Sequence, residues 1–229
     1  MLDVSLGFVQ LKERLLRGLV HTGLNAALQY HSQTFGPRSI FDWSIAVAPG
    51  WLRWHGSTDL SFDVAPMDVG YAMWYHSPMP TVRMYVGGYA RLQTNYTQYI
   101  QLDGQHPYWC TLDQLGIRHW FDWRSAGGSE LMVESDLSLV ALASRPPEWR
   151  DYSTTALNAW GIVQRVYSSP RIVTLFDGLR FMTRAQYQPS SESSRSLVYY
   201  YQFEYNMVDI PSTYTNIQSR LGVGIPLSQ

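Results

Sequence analysis

Six histidines (His21, His31, His55, His76, His106 and His119), one cysteine (Cys110) and a scatter of carboxylates are the side chains best able to do chemistry. Imidazoles are the natural metal ligands, yet no two histidines stand two residues apart, so the His-x-His pair of a jelly-roll metal enzyme is missing. The His-Glu-x-x-His helix motif, a phosphate-binding glycine loop, a dinucleotide loop and a Gly-x-Ser-x-Gly elbow are also missing. Cys110 has His106 and His119 near it in sequence, but at a spacing that matches no nucleophile–base pattern. A single cysteine forms no internal disulfide and assembles no cysteine-based zinc site, as in a chain matured in a reducing compartment. Asp42, Asp59, Asp63 and Asp68 could meet in space as a glycosidase pair does, although aspartates at strand ends more often serve turns. The sequence is therefore read as non-enzymatic, with no catalytic residue, no metal and no cofactor.

Surface chemistry offers more. Charged residues make up 15% of the chain and aromatics 14%, with 16 Tyr and 9 Trp. So little charge suggests an outer surface covered by neighbours, and Tyr and Trp suit strands and interfaces. Lys12 is the only lysine beside 16 arginines, and the net charge of −1 gives no global basic field for nucleic acid. Tryptophans spread from Trp43 to Trp160 leave a sugar-binding sandwich module as an alternative, since exposed rings can serve as carbohydrate platforms.

The elements that would position these residues fall into two regimes. Phe8, Leu11, Leu15, Leu16 and Leu19 recur at helical spacing, predicting a short helix within an N-terminal arm over residues 1–38. From about residue 40 to the end, over a domain spanning 39–229, the period becomes two. Leu60, Phe62 and Val64 alternate up to Pro66, and Val69, Tyr71, Met73 and Tyr75 up to Pro78, as two half-buried strands. Ile172–Phe176 and Leu179–Tyr187 predict a hairpin across Asp177-Gly178, and Leu197, Tyr199, Tyr201, Phe203 and Tyr205 line one face of a late strand. Residues 87–128 and the Ser-rich 188–196 read as long irregular connections. Eight to ten strands in this pattern predict an all-β fold, specifically an eight-stranded antiparallel jelly-roll β-sandwich with an N-terminal helical or extended arm. No run of 18 apolar residues and no signal peptide occurs, so no membrane anchor is expected.

Two segments carry a resemblance. Phe41-Asp42-Trp43-Ser44-Ile45 through Trp51-Leu52-Arg53-Trp54-His55-Gly56-Ser57, running into Leu60-Ser61-Phe62-Asp63-Val64, is similar to a stretch in coat proteins of picorna-like viruses. Here the arginine of that family's Arg-Gly-Ser is displaced to Arg53. Leu11-Lys12-Glu13-Arg14-Leu15-Leu16-Arg17 resembles the stretch before the first strands of insect and plant members, and the terminal Gln229 matches their usual polyprotein cleavage site. The resemblance implies a structural coat protein, packed with two sister jelly-roll proteins and copies of itself in an icosahedral shell. It also implies residence in the virion and in the host cytoplasm during assembly, outer loops facing a host receptor or vector, and sequence-independent contact with genomic RNA through Arg14 and Arg17. On this view Gly56 would allow close approach of neighbouring strands.

Overall fold

A computed structural model describes residues 1–14, 18–99, 107–146, 161, 164, 166–190, 197–209 and 212–226. Eleven strands follow one another: β1 (Leu2–Glu13), β2 (Leu19–Phe35), β3 (Ser39–Trp54), β4 (Ser57–Met79), β5 (Val82–Gln98), β6 (Pro107–Arg124), β7 (Glu130–Ser144), β8 (Pro170–Thr174), β9 (Gly178–Gln188), β10 (Val198–Asp209) and β11 (Thr213–Ile225).

Every pairing is antiparallel, and the strands belong to one sheet that closes on itself. β1 pairs with β2 on one edge and β11 on the other, and β6 pairs with β7 along its length. The free edge of β7 is shared, with Glu130–Leu137 paired to β9 and Val140–Ser144 to β8. Both partners run antiparallel to the same edge, so β8 and β9 are collinear pieces of one wall, parted by a bulge at Leu175–Asp177. The Asp177-Gly178 turn is thus a bulge rather than a hairpin. The result is a closed ten-walled barrel. Register climbs steeply around it. Stepping from Glu130 through Gln188, Gly224, Asp3, Gln29 and Ala46 leads on to Leu112 and back to β7 at Ala143. Such a stagger tilts every strand strongly against the barrel axis.

The jelly-roll expectation is corrected here, because two packed sheets with open edges are replaced by one closed sheet. The helical arm is corrected too. β1 has hydrogen-bonded neighbours on both sides, and Phe8 and Leu11, placed together on a helix face, point to opposite faces of a strand. Leu15 and Leu16 lie outside the described residues. The two short strands expected on either side of Pro66 are one strand, β4. Its register shifts between Val64 and Met67, a bulge that accommodates a proline with no N–H to donate. Residues 87–128 hold most of β5 and all of β6, while the Ser-rich 188–196 falls mainly outside the described residues.

Turn chemistry fixes the β3–β4 register. His55 and Gly56 form a two-residue loop with φ of +43° and +86°, the paired positive values of a type I′ hairpin. A Cβ on Gly56 would meet nothing within 4 Å. Its role is conformational freedom at an open tip, which corrects the expected close approach between strands.

The polarity of the wall is inverted relative to a sandwich. Outward positions are apolar and exposed, as with Leu6 (72%), Ile172 (74%) and Phe176 (90%). Inward positions carry charge and are buried: Asp3, Asp63, Arg91, Arg118, Asp136, Arg180 and Glu204 among them. β10 shows the rule in one strand, with Tyr199, Tyr201, Phe203 and Tyr205 facing out and Gln202, Glu204 and Asn206 facing in.

Candidate functional site

The lumen is built in three layers. At the end where β1 runs into β2, Leu11, Leu52, Tyr99, Tyr108, Val208 and Tyr214 close an apolar layer. Near the end that holds both chain termini, Ile40, Ala72, Tyr85, Trp120 and Met132 form a second. Between them lies a charged layer to which five arginines and seven carboxylates contribute: Arg91, Arg118, Arg180, Arg184, Arg220, Asp3, Asp42, Asp63, Asp68, Glu134, Asp136 and Glu204.

Arg118, on β6, is the hub. Its guanidinium donates to Asp42 of β3 at 2.6 Å, to Asp68 of β4 at 2.7 Å and to both carboxylate oxygens of Asp136 on β7 at 2.7 Å, with Glu134 at 3.1 Å. Gly70 makes room for it, since a Cβ there would stand 2.3 Å from Asp42 Oδ1 and 2.6 Å from Arg118 Nη1. Arg91 pairs with Asp68 at 2.9 Å and reaches across to Glu204 on β10 at 3.6 Å. Arg180 joins Asp136 and Glu204, each at 3.2 Å. Arg184 ties β9 to Asp3 of β1 and Gln29 of β2. Asp63 of β4 accepts from Gln93 and, across the lumen, from Gln218 of β11 at 2.9 Å. The aromatic rings of Tyr89 and Trp120 flank Arg118 at 5.0 and 5.5 Å, and Tyr200 lies 4.1 Å under Arg184. Arg118–Asp42, Arg118–Asp68, Arg91–Glu204, Arg184–Asp3 and Gln218–Asp63 join walls that are not neighbours in the sheet, so they brace the barrel through its middle.

Little space is left. The cavity beside Arg118, Asp42, Asp68, Glu134 and Arg184 measures about 20 Å³, room for about one water. Among the described residues the lumen is a filled core of salt bridges. Buried ions tolerate desolvation when they are paired and hydrogen-bonded. Here Asp42, Asp68, Asp136, Arg91, Arg118 and Arg180 each have an opposite charge beside them, while Asp42 Oδ1, Arg91 Nε and Arg180 Nη2 stay without a hydrogen-bond partner.

Of the aspartates singled out from the sequence, Asp42 and Asp68 do meet, but around one guanidinium. Asp63 belongs to the Gln93–Gln218 cluster, and Asp59 accepts from His21 Nδ1 at 3.0 Å. Cys110 is buried in the apolar layer beside Leu112. His31 approaches Asp42 at 3.9 Å, His119 bonds to the Tyr75 hydroxyl at 3.2 Å on the outer wall, and His106 lies outside the described residues. Among the described residues no group of three or more His, Cys, Asp or Glu side chains is arranged to hold a metal. Arg14 is exposed at the β1–β2 turn, and Arg17 lies outside the described residues. The RNA-binding assignment is corrected, because the segment that was to lie beneath a shell is wall and turn of the barrel.

The arginines that organise the lumen went unnoticed in the sequence. A signal was present: Glu134, Asp136 and Ser138 alternate with Val133, Leu137 and Leu139, and Arg180 and Arg184 share one parity of β9. Charge at mid-strand, on a single parity, is the mark of an interior that is polar.

No protein-family model matches the chain, and no curated protein does. Among solved structures the chain is similar to the outer membrane protease OmpT from Escherichia coli, at 10% identity and TM-score 0.44 over 98% of this chain and 96% of that one. It is similar to the translocator domain of the autotransporter NalP from Neisseria meningitidis, at 10% identity and TM-score 0.44 over 99% and 88%. The β-domain of the Bordetella autotransporter BrkA gives 12% identity and TM-score 0.44 over 98% of each chain. The coat-protein reading, its sister-subunit partners and its virion and cytoplasmic location are corrected, because the closed barrel has no jelly-roll sheets to pack into a shell. The sugar-binding alternative is corrected as well: outward aromatics such as Trp51, Tyr71, Tyr187 and Tyr201 are distributed around the wall instead of forming one platform.

Proposed function

We propose that the chain is a transmembrane β-barrel of outer-membrane type whose lumen is sealed, and that it acts as a membrane-embedded scaffold rather than an open pore. One observation carries this reading: apolar side chains face outward all round a closed wall, while the charges face inward and pair. In water that arrangement exposes Leu6, Ile172 and Phe176 to no benefit, whereas in lipid it removes them from water. A closed barrel also satisfies every backbone group between its own strands, the condition for crossing a bilayer.

Length agrees. A tilted strand crosses in about 9–11 residues, and even β9, one piece of a wall it shares with β8, has 11 residues while β4 has 23. No helix among the described residues is long and apolar enough to cross. The expected lack of a membrane anchor, drawn from the absence of a long apolar run, is corrected, because a closed barrel crosses with its strands. Among the described strands the widest gap in sequence, from Ser144 to Pro170, falls at the end opposite the termini. Long external loops opposite short internal turns are usual in such barrels, which favours an outward-facing loop end. The non-catalytic assignment is kept within this proposal, supported by lumen carboxylates that are engaged with guanidinium groups.

The test is folding into phosphatidylcholine vesicles from urea. The proposal expects a protease-resistant, vesicle-bound species that migrates faster than the unfolded chain on unheated gels. A stable monomer in buffer without detergent or lipid would overturn it.

A further inference from the structure

The mouth of the barrel at the chain-termini end contains a recess of about 400 Å³, at the small end of the range for ligand pockets. Two amide side chains reach it from opposite walls, Gln33 from β2 and Gln186 from β9. The Nε2 atoms of both are buried and have no hydrogen-bond partner, and Gln186 as a whole is 5% exposed. Around them Phe35, Met132 and Val198 supply apolar wall, beside the polar Ser32, His31 and Gln188. A buried amide donor without an acceptor is costly, and an apolar side chain would fit beside Met132 and Val198 at lower cost. Two such donors converging on one open recess are therefore matched to acceptors that arrive from outside.

We infer that this recess is a binding site for a short, uncharged stretch of extended peptide, whose backbone carbonyls accept from Gln33 Nε2 and Gln186 Nε2 while its small side chains lie against Met132 and Val198. The chemistry selects a neutral ligand. Among the described residues no Lys or Arg side chain lines the recess; the Met1 ammonium at its edge is engaged by the His31 carbonyl at 2.7 Å, and Glu130 at the rim opposes a carboxylate. The inference rests on the recess itself and not on what surrounds the outer wall.

The probe is N-acetyl-trialanine amide, titrated by calorimetry into the full chain folded in detergent micelles, with acetate as the charged comparison. Saturable binding is expected for the peptide, weakened about tenfold or more in Gln186→Met and in Gln33→Met, a loss in line with one hydrogen bond to a buried donor. The same variants are expected to raise the unfolding midpoint of the free barrel, because each removes an orphaned donor. Gel mobility of the folded form separates a misfolded variant from one that folds and fails to bind. No saturable binding by the wild-type chain, equal binding by folded Gln186→Met, or acetate competing as well as the peptide would each overturn the inference.

Discussion

Replacing Arg118 by methionine removes the one cation that four carboxylates share. Asp42, Asp68, Asp136 and Glu134 all approach its guanidinium within 3.1 Å, and Arg118 itself is 1% exposed. Deleting one partner of a buried ion pair costs about 3–5 kcal/mol, because the other charge stays buried and uncompensated. A second route gives a similar figure: two carboxylates about 5 Å apart repel by about 3 kcal/mol at an effective dielectric of about 20. Arg118→Met should therefore destabilise the barrel by about 3–5 kcal/mol, roughly two to nearly four powers of ten in the folding equilibrium. The assay is urea unfolding in micelles, followed by tryptophan fluorescence. Adding Asp42→Asn and Asp68→Asn to Arg118→Met should restore part of the loss, since two of the four charges are then removed, and the non-additivity measures the coupling. A single mutant within about 1 kcal/mol of wild type would refute the hub assignment, for it would mean that the carboxylates are accommodated without Arg118.

Three further outcomes follow from other parts of the wall. Leu6→Arg should cost about 2–4 kcal/mol when the barrel is folded in vesicles, as for an arginine facing mid-bilayer lipid, and vesicle unfolding titrations read it directly; Leu6 is exposed on β1. Gly70→Leu should lower stability by about 1–3 kcal/mol, an overpacking cost, because its Cβ would stand 2.3 Å from Asp42 Oδ1; denaturant midpoints in micelles check this. Gly56→Val should cost about 1–2 kcal/mol from backbone conformation alone, since Gly56 holds φ +86° with open space around it. Gly56→Asn should lose less than half as much, a difference visible in thermal midpoints.

The sequence held the period of the strands but not the sign of their faces. In β10, Tyr199, Tyr201, Phe203 and Tyr205 alternate with Gln202, Glu204 and Asn206 with the same spacing in a sandwich or a barrel. Which face is inside depends on the solvent around the wall, and alternation says nothing of that. The N-terminal strand was lost for a related reason. Phe8 and Leu11 are both apolar but lie on opposite sides of β1, one in the outer belt and one in the apolar lumen layer, so their spacing mimicked a helix. Pro66 looked like a strand end because its bulge has no sequence mark beyond the proline. Closure through β1–β11 and the meeting of Arg118 with Asp42, 76 positions apart, are long-range facts that no local pattern encodes. The His55-Gly56 turn was visible as a motif, but its type I′ conformation, not a family signature, is what it contributes.

On the proposed function the outer wall faces lipid and the lumen is closed to it. The most direct measurement is spin labelling of single cysteines at positions 3–6 and 8 of β1, in a chain with Cys110 replaced, folded into phosphatidylcholine vesicles. A period of two is expected: labels at Val4, Leu6 and Phe8 collide readily with oxygen dissolved in the bilayer, while those at Asp3 and Ser5 are shielded from oxygen and immobilised. Gly7 is left unlabelled, because a Cβ there would stand 2.6 Å from the Ser219 carbonyl. Labels at Val4, Leu6 and Phe8 that instead met a water-soluble nickel chelate as freely as loop residues do would contradict it.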